Sequence, residues 1–382
     1  MTDVGMGFAL GNRLAPKVRG FTMLLSGAYM SVFQKIFPAV ITFFGVATAA
    51  HAQSSATLYG SLDLAVGSFQ SSALAAASKH VTKVDGNVMV TSYLGFKGVE
   101  DIGGGLKAGY TLETFLRPDT GAAGRSDADV FWGRNANVWL QNSLGKVTLG
   151  RQATLGFSHV VAFNPFAGGF GISPAVRLTY GAWGNDKGDS AWSNAVSYVS
   201  PAMSGVTVSV QAQTGEAADR AERTSYGASA TYTSGALSLG LVAHTLRSAE
   251  APKSSLTAGQ KQNFVMASGS YDAGFAKVFA QYGQYDNAGY TAASKIDTSL
   301  FQIGASVPVT TAGKVLASVG QSLEKPVAGG ATLRTKHTIT SVAYDHFLSK
   351  RTDVYAAFIN DQESLAGYQS GQTYLVGVRH AF

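Results

Sequence analysis

From residue 53 onward, apolar and polar residues alternate in short segments. In one of them Val206, Val208, Val210 and Ala212 share a face, and Thr207, Ser209, Gln211 and Gln213 share the other. Leu237, Leu239, Leu241 and Ala243 repeat the pattern. A period of two is the signature of a strand. Sixteen such segments are predicted, beginning near Thr57, Val88, Leu106, Asp129, Lys146, Ala191, Val206, Arg223, Ala236, Lys261, Phe275, Asp297, Lys314, Arg334, Thr352 and Gln372. Most reach the roughly 9–11 residues that a membrane-crossing strand needs, and no apolar run approaches the ~18 of a helical span. The fold class is therefore all-β. Alternation alone serves two architectures: a soluble sandwich with its apolar face on a core, or a barrel in lipid with that face outward and the polar face on water.

The connections separate these readings. Short turns at 101–105, 142–145, 201–205, 234–235, 273–274 and 348–351 alternate with longer polar stretches at about 70–87, 118–127, 153–190, 215–222, 249–259, 287–296, 323–333 and 362–370. Tight turns on one rim and long loops on the other characterise outer-membrane barrels. An even strand count puts both ends of the barrel on one side. Stretch 153–190, the longest, is the third on its rim. Neither a linker nor a plug interrupts residues 53–382, which read as one domain.

Composition agrees. Charged residues make up 14%, against about 25% in an average soluble domain. Glycine is abundant at 45 residues, aromatics reach 11% and mean hydropathy is +0.09. The absence of cysteine excludes disulfides and thiolate-bound metals. Before residue 53, Lys35 precedes an apolar run from Ile36 to Ala50 that ends in Ala50-His51-Ala52, the small-x-small pattern of a signal peptidase site. The run is short for a span of about 20 residues. Residues 1–52 are predicted to be a leader cleaved between Ala52 and Gln53. Met23 and Met30 are plausible starts, with residues 1–22 a mis-assigned beginning. The leader holds four of the 29 basic residues and one of the 23 acidic ones. The basic excess of the remainder is thus small, and nucleic-acid binding is not implied.

The search for chemistry is brief. The seven histidines lack the paired spacing of a zinc motif and read as rim or surface residues. Nucleophile elbow and phosphate loop are both missing. Ser158 and His159 are adjacent, so as strand neighbours they would point apart. No catalytic residue, metal site or cofactor is assigned. Two other classes could use the same scaffold. One is an adhesin-like, surface-binding barrel with a closed lumen. The other is an outer-membrane hydrolase that assembles its site across neighbouring strands.

Ordered segments of the chain are similar to a known family. They include Ala56–Asp63 (ATLYGSLD), Ser92–Ala108 (SYLGFKGVEDIGGGLKA), Lys146–Gln152 (KVTLGRQ), Asn194–Pro201 (NAVSYVSP) and the ending Val376–His380 with Phe382. Across nearly all of 53–382 the chain resembles the trimeric general porins of the neisserial and beta-proteobacterial type. The resemblance implies a transmembrane antiparallel β-barrel of 16 strands in the outer membrane, with the third long loop folded into the lumen. It implies a homotrimer that contacts lipid and lipopolysaccharide, and passive diffusion of ions and small hydrophilic solutes. Phe382 would be the aromatic signal read by the barrel-assembly machinery. The chain departs from the family at Tyr93, where arginine is usual, and in having no Asp or Glu from 130 to 185.

That acid-free window contains Arg134, Lys146, Arg151 and Arg177, the candidate pore-lining bases, with Glu113 as a possible opposing acid. By the resemblance, Arg134 and Arg151 fall at or near the lumen wall, and Arg134 is expected on it. Arg151 shares phase with Val147 and Leu149, which ought to face lipid, so its side stays open. Arg177 is expected in a mobile loop. Bases without balancing carboxylates would attract anions, so a weak anion preference is expected. Asp129 or the Asp186–Asp189 segment, folded inward, would reduce it.

Overall fold

The structure, a computed structural model, describes residues 55–181, 185–215, 224–247, 260–286, 296–326 and 335–382. The predicted leader, with Ala50, Ala52 and Gln53, lies outside the described residues. Among these residues, sixteen long strands form one closed antiparallel sheet. They are β1 (Ser55–Phe69), β2 (Tyr93–Gly103), β3 (Leu106–Arg117), β4 (Asn135–Asn142), β5 (Gly145–Ala153), β6 (Ala191–Val199), β7 (Val206–Gln213) and β8 (Ser225–Ser234). There follow β9 (Leu237–Arg247), β10 (Lys261–Asp272), β11 (Lys277–Asp286), β12 (Ile296–Pro308), β13 (Gly313–Pro326), β14 (Lys336–Phe347), β15 (Thr352–Glu363) and β16 (Gly371–Ala381). Each strand pairs with the next, and β16 closes on β1 in the register Ser61↔Ala381 to Ser68↔Tyr374. Beyond the last strand, the main chain of Phe382 exchanges two 3.1 Å hydrogen bonds with Gly60 and extends the seam.

Burial is inverted relative to a soluble domain. On β7, Val208 and Val210 are exposed while Gln211 and Gln213 are buried. On β10 and β11, Val265, Tyr271, Val278 and Tyr282 face outward, and Ser268, Ser270 and Gln281 are buried. Contiguous apolar surface on this scale would aggregate a protein in water and suits a surrounding hydrocarbon phase. Among the described residues no helix is long and apolar enough to cross a membrane; the crossing elements are strands.

Two strand starts differ from those predicted. β2 begins at Tyr93, because the Asp63 carboxylate draws the amides of Met89 (2.6 Å) and Val90 (2.9 Å) out of the sheet and into the lumen. The Asn87 side chain fixes this inward bend through Ser92 N, and Asn87 itself adopts φ +68°. β4 begins at Asn135, because Asp129 is held by Arg125 in the preceding loop at 2.7 Å.

The third long loop turns inward and carries α1 (Leu155–Ala162) and α2 (Pro174–Tyr180). Thr154 caps α1 by accepting from Phe157 N at 3.0 Å. Ser173 caps α2, with Pro174 in the first turn where its missing N–H is harmless. The helices pack on β7–β14, where Val160, Ala175 and Val176 meet inward-facing Val242, Phe264, Met266, Tyr285 and Leu300. The segment between the helices reaches further round, to β13–β16 and β1. There Phe166 and Ile172 share a cluster with Val88, Met89 and Ala65. A Cβ on Gly171 would lie 2.7 Å from the Val88 Cα, so this approach needs glycine.

Candidate functional site

Inside the barrel the backbone of the loop is out of bulk water and must find partners. Inward-facing side chains of the strands supply them. Gln281 donates to Phe163 O (2.8 Å) and Val160 O (3.2 Å), and Gln262 to Asn185 O (2.8 Å). Gln211 donates to Ala153 O (3.0 Å) and Ser341 to Ile172 O (2.6 Å). Three histidines predicted at the rim or surface are instead buried in this seat. His159 Nε2 lies 2.9 Å from Ser268 Oγ, His244 lies 3.1 Å from Asp186, and His337 lies 2.5 Å from Asp361. Burial on an apolar surface lowers the pKa of His159 to about 4, which leaves it neutral at pH 7.

The candidate bases occupy four separate places. Arg151 is buried at the foot of the loop, where Asp189 receives it at 2.5 Å and Gly133 O accepts from its Nε at 2.7 Å. Its orientation comes from the backbone at Gly150, which takes φ +114° where the pairing with β6 shifts between Gly150 and Gln152, the extra residue lying on β6. A glycine adopts this left-handed backbone without steric cost, and the turn at Gly150 takes Arg151 out of the phase of Val147 and Leu149. Arg125 joins the same network, 2.7 Å from Asp129 and 2.6 Å from Asp189. Burial alone would raise the pKa of Asp189; the hydrogen bonds and charge of Arg125, followed by those of Arg151, outweigh it and hold the carboxyl below its ordinary value.

Arg177 lies on α2 and meets Asp361 of β15 at 2.5 Å, so it anchors the loop. Lys146 places its ammonium 4.4 Å from the Trp139 ring centroid, near the tight-turn rim. Arg134, next to β4, lies 2.9 Å from Glu113 and spreads over the Tyr93 ring at 4.4 Å. Glu113 also accepts from Tyr59 Oη at 2.5 Å and from the Asn135 amide. Of the named candidates, the fold joins only Arg134 and Glu113. The acid-free window is acid-free in sequence alone: Glu113, Asp189 and Asp361 all reach it from outside.

Sequence reasoning passed over Lys97. It follows Tyr93 and Gly95 at the strand period, and its ammonium sits 4.6 Å from the inward Tyr59 ring. That phase was a usable signal. A second missed group lies on β13–β16, where Arg379 contacts Asp353 (2.9 Å) and Asp345 (3.6 Å) and Lys314 contacts Asp345 (3.5 Å). Among the described residues, no three His, Cys, Asp or Glu side chains are placed to hold a metal ion.

A closed sixteen-strand barrel with an apolar exterior and a loop-narrowed polar interior defines the class, a membrane channel. The family model described as Gram-negative porin matches residues 39–364, and the chain belongs to this family. It is 30% identical to outer membrane porin protein 32 of Delftia acidovorans, over 87% of this chain and 96% of that one. It is 25% identical to an outer membrane porin protein of Bordetella pertussis, over 88% and 97% of the two chains. Among solved structures, the anion-selective porin from Comamonas acidovorans superposes with a TM-score of 0.69, at 24% identity and over 86% and 100% of the two chains. The protein is an outer-membrane channel for small solutes.

Proposed function

We propose that this porin favours anions weakly and that the selective field arises on the β1–β5 wall. One observation carries the reading. Arg151 and Arg177 are each neutralised by a carboxylate at 2.5 Å. Lys97 and Lys146 instead rest on aromatic rings, with no carboxylate in ion-pair range among the described residues. Arg134 lies beside them, paired with Glu113 at 2.9 Å, and its loss would leave that carboxylate unbalanced. Low-dielectric walls focus such a field, and salt screens it. The anion selectivity named for the Comamonas porin of the same fold supports this reading.

The same reading includes a homotrimer in contact with lipid and lipopolysaccharide and cleavage after Ala52. It also has Phe382 act as the signal for the barrel-assembly machinery, and it needs no catalysis. Support for these parts comes from the family resemblance. The test is the reversal potential of reconstituted channels across a KCl gradient. Chloride should be favoured, Lys97→Ala and Arg134→Ala should each reduce the preference, and Arg177→Ala should leave its sign unchanged. A wild-type pore that favours potassium would overturn the proposal.

A further inference from the structure

A continuous run of basic and aromatic groups lies along the open wall. The Lys97 ammonium is 4.6 Å from the Tyr59 ring, the Tyr59 ring is 5.9 Å from Tyr93 at an interplanar angle of 74°, and the Arg134 guanidinium is 4.4 Å from Tyr93. The four groups come from β1, β2 and the segment entering β4, and the successive pairing of β1 with β2, β2 with β3 and β3 with β4 brings them together. None of the four is fully buried. Glu113, the acid behind them, is buried and occupied by Tyr59, Asn135 and Arg134. A passing anion therefore meets the bases and the rings before it meets this carboxylate.

The rings distinguish this wall from a simple line of charge. Inorganic anions and aliphatic acids can use Lys97 and Arg134 alone. A flat aromatic acid can place its carboxylate on either base while its ring lies along the faces and edges of Tyr59 and Tyr93. The perpendicular setting of the two tyrosines offers one face and one edge, the two arrangements that aromatic pairs prefer. The benefit of such a pair in partly wet surroundings is modest. That suits a channel, where a solute must bind well enough to enter and loosely enough to leave.

We infer that the Lys97–Tyr59–Tyr93–Arg134 track is a transit site for aromatic monocarboxylates of the benzoate type. The inference rests on the anion preference proposed above and adds a preference among anions. The probes are sodium benzoate and sodium cyclohexanecarboxylate, which match in charge and nearly in size and differ in the flat π-face. Permeability ratios are read from reversal potentials of the reconstituted wild-type channel under bi-ionic conditions against chloride. Benzoate is expected to exceed cyclohexanecarboxylate by about threefold. Tyr93→Phe should keep that ratio and Tyr93→Leu should bring it close to one. Heat-modifiable mobility of each variant verifies that the barrel is formed. Equal permeability of the two acids in the wild type, or a ratio untouched by Tyr93→Leu, overturns the inference. Failure of the underlying anion preference appears separately, as potassium selectivity of the wild type in KCl.

Discussion

The two halves of the lumen wall share one strand period and differ in what they turn inward. On β9–β12 the inward residues are apolar or polar without formal charge, among them Val242, Phe264, Met266, Leu300, Gln281 and Gln302. On β1–β5 they include Tyr59, Lys97, Glu113, Asn135 and Lys146. The first wall is covered by α1 and α2 and behaves as a protein core placed inside a barrel, with glutamines satisfying the backbone of the loop. The second remains wet and carries charge. Both present the same apolar exterior. The inward face of a barrel strand is thus no single environment, and the third loop decides which part becomes core and which part becomes pore.

The largest expected effect would break the boundary between the two walls. Asp189 receives both Arg125 and Arg151 with little solvent exposure. Asp189→Ala would leave the buried Arg151 guanidinium without its carboxylate and Arg125 with Asp129 alone, and removal of one partner from such a network costs about 3–5 kcal/mol. Loss of heat-modifiable barrel at a clearly lower temperature, together with noisier single-channel currents, is the expected outcome. An unchanged transition would mean that the foot of the loop is held by other contacts.

A smaller effect would sharpen the contrast between the faces of adjacent strands. Phe264 is buried against His244 and Tyr285, with ring centroids 4.9 and 4.4 Å away. Phe264→Ala should cost about 3–4 kcal/mol by opening a cavity under α1, seen as a lower unfolding temperature and a larger mean conductance. Leu241, on the outer face of β9, is 53% exposed, and Leu241→Ala should shift stability by less than about 1 kcal/mol. Equal effects of the two substitutions would argue against a protein-like core in the lumen.

The smallest effect concerns acid. His159 has its pKa lowered from 6.5 to about 4 by burial, so the unfolded chain binds the extra proton and the folded one does not. The seat of the loop is then at full strength above about pH 6.5 and weakens as pH falls toward 4, by at most about 3 kcal/mol. Hydrogen exchange of the α1 amides between pH 7.5 and 4.5 should rise beyond its intrinsic pH dependence, and His159→Gln should flatten that rise. An identical pH response in the variant would assign the effect to other groups.

Much of the fold was legible in the sequence because it depends on local periodicity. Alternation at Val206–Gln213, tight turns such as Asn142–Gly145 and the long stretch 153–190 dictate strands, rims and an even count, since each follows from backbone geometry within a few residues. The misplaced starts of β2 and β4 arose where a distant partner overrode local pattern, Asp63 in one case and Arg125 in the other. The apolar lining under the helices also left a trace, because Leu241-Val242-Ala243 and Val265-Met266-Ala267 are apolar on both faces.

The site was legible only in part. Sequence named Arg134 and Glu113, and the fold places them together. It also named Arg151 and Arg177 as unbalanced bases, although Asp189 and Asp361 neutralise them. The sequence alone determined which residues can line water and which must face lipid, because alternation is a property of each strand. Pairing of neighbouring strands and the inward fold of the loop decided which charges meet. Coulombic pairing acts over a few ångströms of space, and Arg177 and Asp361 come that close only because α2 is laid inside the barrel on β12–β14, within reach of β15.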